Sequence, residues 1–213
     1  MEMLTAIRNS ALGLSIFAVI TSGAIALTQV STKERIEINE REQRARALYE
    51  IVPKDSIDNS LLEDTVTITA PYLTASEQPV DVFRARRDGQ VVTVIIPTTA
   101  PDGYTGNINI IVGINADESI AGVRVLSHKE TPGLGDKVDL KKSDWVLSFN
   151  GQRYEGSNDP SWAVQKDGGR FDQFTGATIT PRAIVNATAR AIHYFRENKA
   201  ALMESKPNLT GTE

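Results

Sequence analysis

The sequence predicts an α+β domain, a mostly antiparallel sheet packed against helices, preceded by one N-terminal transmembrane helix. Three observations predict it. Residues 11–30 form an uncharged apolar run, ALGLSIFAVITSGAIALTQV. The middle of the chain alternates apolar and polar residues between turn signals. A closing segment, Pro181 to Met203, repeats apolar residues at helical spacing.

The apolar run follows a short tail, residues 1–10, and is flanked by Arg8 and Lys33. It has the length of a helix that spans the hydrocarbon core, about 20 residues. Its Ser and Thr hydroxyls can bond back to their own helix. We read it as an uncleaved anchor in a lipid bilayer. Ala24-Ile25-Ala26 also has the form of a signal-peptide cleavage site, and cleavage stays open. Arg8 stands on one side, and Lys33 and Arg35 on the other beside Glu34 and Glu37, so the positive-inside rule gives no orientation. An N-terminal signal anchor and a signal peptide both put the globular part outside the cytoplasm.

Residues 31–63 read as a charged juxtamembrane helix and a linker. Ile36, Ala47, Leu48 and Ile51 form a narrow apolar stripe, and Pro53 ends the helix. The expectation is a solvated helix, with docking of a partner as the alternative. Residues 64–205 form the globular domain, and 206–213 a polar tail. Within the domain, DTVTITAPYL alternates as a strand does. VDVFRARRDGQVVTVIIP carries Asp88-Gly89 between two β-rich runs, which predicts a hairpin. NINIIVGINADESIAGVRVLSHKE predicts a second one, with NADES at its turn. Arg84, Arg86 and Arg87 are expected on a solvated face, and Trp145 and Trp162 in the core or at its edge. In the last helix Ala183, Ile184, Ala187, Ala191, Ile192 and Phe195 share the face that should pack on the sheet.

Composition excludes several function classes. The net charge of −4 over 213 residues argues against nucleic acid as a partner. With no cysteine, disulfides, iron–sulfur clusters, c-type haem and zinc–thiolate sites are ruled out. His128 and His193 are the two histidines, too few for a multi-histidine metal centre. We find no acid–base dyad or activated nucleophile and assign no catalytic residue and no metal ligand. Any redox chemistry must come from an organic cofactor.

The most informative segment runs from Asp172 through Thr175-Gly176-Ala177-Thr178 to Thr180-Pro181. Thr180 before Pro181 reads as an N-cap followed by the first helical residue. Thr178 would then lie just ahead of a helix N-terminus, with the positive end of the helix dipole toward it. Gly176 and Ala177 leave room for a large group. A phosphate suits this place, although capping and close packing are the commoner reason for such residues before a helix.

Thr175-Gly176-Ala177-Thr178 with Thr180, and Asp172 three residues before, resembles the [Ser/Thr]-Gly-Ala-Thr-x-Thr flavinylation motif. That motif belongs to the FMN-binding domain of the G subunit of Rnf/Rsx electron-transport complexes, related to the C subunit of sodium-translocating NADH:quinone reductase. His128-Lys129-Glu130-Thr131-Pro132-Gly133-Leu134-Gly135-Asp136 is similar to the family's Glu-Thr-Pro-Gly-Leu-Gly segment, and Gly103-Tyr104-Thr105-Gly106 to its Gly-Tyr-x-Gly segment. The chain's length resembles the Rnf/Rsx protein more closely.

The resemblance implies a covalent FMN, joined through its phosphate to Thr178 by a flavin transferase. It implies that Thr131 and Leu134 contact the ring, with Gly135 shaping the loop. Glu130 would orient the loop or meet the ring edge, and Asp172 would be read by the transferase or cap the turn. It also implies an electron-carrying subunit of a ferredoxin- and NAD-linked, ion-translocating complex of the bacterial inner membrane. The globular domain would face the periplasm and exchange electrons with other membrane subunits of the complex. An anchored extracytoplasmic scaffold without a redox role is the alternative.

Overall fold

The computed structural model describes residues 2–156 and 159–204; the tail expected at 206–213 lies outside the described residues. The chain divides into two compact units, Met1–Gln43 and Arg44–Glu213. Helix α1, Glu2–Ile51, forms the first, and its last turns belong to the second.

In the first unit, Ile7–Lys33 is long and apolar enough to cross a membrane, 27 residues. Leu12, Leu14, Phe17 and Ile20 are exposed. Such exposure of apolar side chains is what a helix able to cross a membrane presents. Several of its hydroxyls bond back to the helix: Thr21 donates to the Phe17 carbonyl at 2.7 Å and Thr28 to that of Ala24 at 2.8 Å. Such bonds remove the cost of a bare hydroxyl in hydrocarbon.

The second unit is built on a five-stranded antiparallel meander. Its strands are β1 Thr65–Ile68, β2 Val80–Arg87, β3 Gln90–Gly103, β4 Gly106–Asn115 and β5 Ile120–Ser127. Asp88 (φ 52°) and Gly89 (φ 75°) close β2 on β3. Two successive positive φ angles match the strand twist in a two-residue turn, which is why Asp-Gly signals a hairpin. β3 and β4 meet at Gly103 and Gly106 around Tyr104-Thr105, so the two expected hairpins are one continuous meander. The alternation of DTVTITAPYL stops at Ile68. Pro71 then starts a one-turn helix, α2 Pro71–Thr74, because its ring fits a first helical turn.

Both faces of the sheet are covered. Helix α3, Ile179–Leu202, packs on one face with Ala183, Ile184, Ala187, Ala191, Ile192 and Phe195 buried, as their spacing predicted. Trp145, Phe149, Trp162, Phe171 and Phe174 complete that core. On the other face Ala47, Leu48, Ile51 and Val52 pack with Leu61 against Phe83, Ala85, Ile95 and Ile111. The end of α1 is therefore part of the core, which corrects the expectation of a solvated helix; of the expected stripe, Ile36 alone is exposed. Gly113 and Gly122 face each other across β4 and β5. A Cβ on Gly113 would come within 2.4 Å of Ile51 Cγ2, so the pair of glycines makes the hollow that Ile51 fills.

Arg84 and Arg86 also differ from expectation. Arg87 is exposed, but the other two are buried at 7% and 6% exposure. Arg84 Nε donates to Asp64 Oδ1 at 2.7 Å and Arg86 Nε to Asp64 Oδ2 at 2.5 Å. Both guanidiniums also reach the Glu204 carbonyl just beyond α3. Hydrophobic patterning could not reveal a buried charge whose partner lies 20 residues away. The carboxylate and the helix's negative end together offset the cost of burying two cations.

Candidate functional site

Three segments of the second unit meet at the start of α3. They are the β3–β4 turn at Gly103–Gly106, the loop after β5 from His128 to Val138, and the approach to α3 from Asp172.

The loop begins with His128, whose Nδ1 accepts the Glu130 N–H at 3.1 Å. Thr131-Pro132-Gly133-Leu134 is a tight turn: Leu134 N–H donates to the Thr131 carbonyl at 3.1 Å, and Gly133 has φ 79°. Pro at the second position and a glycine with positive φ at the third are what a type II turn requires. Asp136 Oδ1 accepts the Gly133 N–H at 2.8 Å and closes the loop from below. Thr131 and Leu134 are left exposed, while Gly135 and Val138 are buried.

The approach to α3 contains a second turn of the same form. Ala177 N–H donates to the Phe174 carbonyl at 3.0 Å, and Gly176 has φ 82°. Phe174 is buried edge-on against Trp145, with ring centroids 5.2 Å apart. Trp145 Nε1 donates to the Asp172 carbonyl at 2.7 Å, so the core indole holds the backbone that leads into the turn. The Asp172 side chain itself is exposed, as is Thr175. A Cβ built on Gly176 would lie 3.7 Å from Leu134 Cδ2, so the two turns stand side by side.

Helix α3 starts earlier than Thr180-Pro181 suggested. Thr178 occupies the N-cap position with helical φ −73° and ψ −26°, and its hydroxyl makes no capping bond. This corrects the expectation of an N-cap at Thr180. The reason is twofold. Pro181 is tolerated anywhere in the first turn, where N–H groups have no intrahelical partner. The Thr180 hydroxyl is turned inward, donating to Glu130 Oε2 at 2.5 Å. Thr178 thus sits on the helix terminus itself, half-buried, among the free N–H groups of the first turn.

Glu130 is 4% exposed and is committed within the protein. Besides the Thr180 bond, its Oε1 accepts Thr105 N–H at 3.1 Å and the Thr105 hydroxyl at 3.0 Å. Gly103 and Gly135 give it room, since a Cβ on either would come within 3.0 Å or less of a Glu130 oxygen. Sequence reasoning left the role of Glu130 open and did not single out Thr105 or Trp145 as support. A turn hydroxyl and a core indole carry no local signal of the distant groups they bond.

Around Thr178 the surface is apolar in places. Leu134 is 44%, Ile179 45% and Tyr104 68% exposed. One turn along α3, Arg182 holds Asp167 with both carboxylate oxygens, at 2.7 and 2.8 Å. The hydrogen bond from Arg182 keeps the Asp167 carboxyl below its ordinary range and raises Arg182 in turn. His193 lies far along the helix, exposed and beside Glu197. This arrangement suits a phosphorylated flat ring: a hydroxyl on a helix N-terminus, small residues at 176 and 177, and exposed apolar side chains beside them.

Comparison with known proteins agrees with that chemistry. Residues 103–193 match the FMN-binding domain family, a span that contains all three segments. Residues 3–51 match the RnfG N-terminal region family. The G subunit of the ion-translocating oxidoreductase complex of Pseudoalteromonas atlantica is 49% identical over 199 residues, 93% of this chain and 93% of that protein. The corresponding protein of Vibrio cholerae is 46% identical over 206 residues, covering 97% and 98%. That of Vibrio atlanticus is 45% identical over 209 residues, covering 98% and 100%.

Proposed function

The chain belongs to the family of G subunits of ion-translocating oxidoreductase complexes, and from that premise we propose that it carries FMN as a phosphoester on Thr178 and relays electrons within such a complex. It is one subunit of a translocase and completes no catalytic cycle alone. The observation that carries the proposal is the position of Thr178. Its hydroxyl stands free of capping duty at the N-terminus of α3, in the family's FMN-binding domain.

FMN, when bound, supplies one- and two-electron chemistry that no side chain here provides. The chain's own residues bind and orient it. Thr178 Oγ is the tether: on the transferase it would take the flavin phosphate from a phosphoanhydride donor such as a flavin dinucleotide, giving up its hydroxyl proton as the donor's other phosphate half leaves. A phosphodiester keeps one negative charge, which the first-turn N–H groups of α3 stabilise by about 1 kcal/mol. Ile179 and Thr180 offer such groups and Pro181 has none. Thr175, Gly176 and Ala177 form the turn that leads to the tether, with Gly176 bare toward Leu134. Thr131 and Leu134 present exposed surface to the ring. Gly135 and Thr180 stand behind, against Glu130. Asp172, exposed ahead of the turn, is available to the flavin transferase that installs the ester.

In this role the protein sits in the bacterial inner membrane with Ile7–Lys33 across the bilayer and its domain in the periplasm. There it exchanges electrons with other membrane subunits of a ferredoxin- and NAD-linked complex. A covalent tether suits that compartment, because a flavin lost there is not recovered.

The test is intact mass and in-gel fluorescence of the denatured chain, made with its flavin transferase. The wild type gains the mass of one FMN ester and fluoresces, and Thr178→Val does neither. A variant that still holds flavin after denaturation sinks the assignment of Thr178. A wild-type chain that stays unmodified and colourless favours a scaffold role instead.

A further inference from the structure

Glu130 lies one residue before the turn that bears Leu134, and Thr180 lies two residues after Thr178. Their bond therefore ties the two walls of the site, across 50 residues of sequence. The other Glu130 oxygen ties the β3–β4 turn to the same point through Thr105. Thr105 N–H, the Thr105 hydroxyl and the Thr180 hydroxyl all donate to it, which suits a carboxylate, an acceptor at both oxygens. Two glycines keep those oxygens reachable: a Cβ on Gly103 would lie 3.0 Å from Oε1, and one on Gly135 2.7 Å from Oε2. A carboxylate so enclosed does not touch a ligand. It sets where the ligand's tether stands.

We propose that Glu130 is a positioning residue for flavin attachment: by clasping Thr180 and Thr105 it holds the first turn of α3 so that Thr178 is presented to the flavin transferase and the ring seats against Leu134. This rests on the reading of Thr178 as the attachment residue. Loss of the clasp frees the first helical turn to shift, and Thr178 moves with it. A glutamine in place of Glu130 retains much of the clasp in one orientation. Its carbonyl oxygen accepts from Thr105, and its amide donates to the Thr180 hydroxyl, which can turn to accept.

The experiment follows flavin attachment to the full-length chain in membranes after induction of the transferase, by in-gel fluorescence against protein amount. Folding is monitored by circular dichroism and thermal melting of the same purified, flavin-free variants. Glu130→Ala is expected to slow attachment about tenfold or more, the scale set by stranding buried hydrogen-bond partners. Glu130→Gln restores most of the rate. Flavin that does attach to Glu130→Ala has lower fluorescence anisotropy, because its ring is less held. Should Glu130→Ala fail to fold, Thr180→Val carries the test, since it keeps the volume and removes only the hydroxyl. Attachment at the wild-type rate in a folded Glu130→Ala or, where that variant does not fold, in Thr180→Val overturns the proposal. A Thr178→Val chain that still carries flavin overturns the attachment reading instead, and the two failures are told apart by that control.

Discussion

Gly135 packs so closely on Glu130 that a Cβ at position 135 would stand 2.7 Å from Glu130 Oε2 and 2.9 Å from Thr180 Oγ. Both neighbours are buried and bonded to each other, so neither can retreat without breaking the clasp. Gly135→Ala is expected to lower stability by about 1–3 kcal/mol, through overpacking and a disturbed buried hydrogen bond. Flavin attachment should slow with it. Urea unfolding of the flavin-free protein measures the first effect, and an unchanged midpoint would falsify the close packing of Gly135 on Glu130.

The Trp145 indole supports the approach to Thr178 by its bond to the Asp172 carbonyl. Trp145→Phe keeps an aromatic ring against Phe149 and Phe174 but removes the donor. We expect a loss of about 1 kcal/mol, the net worth of one such bond, plus a smaller loss from reduced packing. Hydrogen exchange at residues 172–177 should rise more than elsewhere in the domain. Uniform exchange across the domain would show that the indole does not hold this segment.

Asp64 gives the domain a defined acid sensitivity. Burial alone would raise its carboxyl, but hydrogen bonds from Arg86 and Arg84 outweigh that and hold it below its ordinary range. A carboxyl lowered in the folded state contributes stability that is fully present above its unfolded value, near pH 4. That contribution is lost as pH falls from there toward the lowered folded value. Asp64→Asn should therefore be less stable at pH 7, by about 3–5 kcal/mol for a broken buried pair. Its melting temperature should also fall less steeply below pH 4 than that of the wild type. Parallel acid limbs in the two proteins would show that Asp64 is not the source of the acid sensitivity.

The end of α1 is part of the domain core, and this sets where the domain can be cut. A fragment starting at residue 44 keeps Leu48 and Ile51 under the sheet, whereas one starting at residue 64 bares Phe83, Ile95 and Ile111. The longer fragment should be soluble and cooperative, and the shorter one aggregated. In the intact chain Ile51→Ala should cost about 2–5 kcal/mol, because the hollow between Gly113 and Gly122 cannot collapse. Gel filtration and denaturation of the variants check both expectations.

Much of the site was legible locally. Pro132-Gly133 is a turn signal in itself and forms the turn it announces, whereas Gly176 reads locally only as room for a large group, and its positive φ came with the fold. The spacing of Ala183 to Phe195 announces the buried face of α3 in the same way. The helix start was misplaced because Thr180 and Pro181 have two uses. A threonine hydroxyl can cap its own helix or bond a distant carboxylate, and here Glu130 claimed it.

Local pattern was enough for the apolar segment at the N-terminus, the hairpin turns, the last helix and the threonine on which the flavin reading depends. Each rests on a preference of residues near one another in the chain. Long-range packing settled that Arg84 and Arg86 are buried on Asp64, that the end of α1 fills the far face of the sheet, and that Glu130 joins Thr105 to Thr180. Those outcomes depend on which groups meet across long separations. A buried charge or hydroxyl is settled by the partner it finds, and local pattern does not name that partner. Thr178 was recognisable from its neighbours in sequence; its place at the tip of α3, with its hydroxyl free of capping, was visible only in the folded chain.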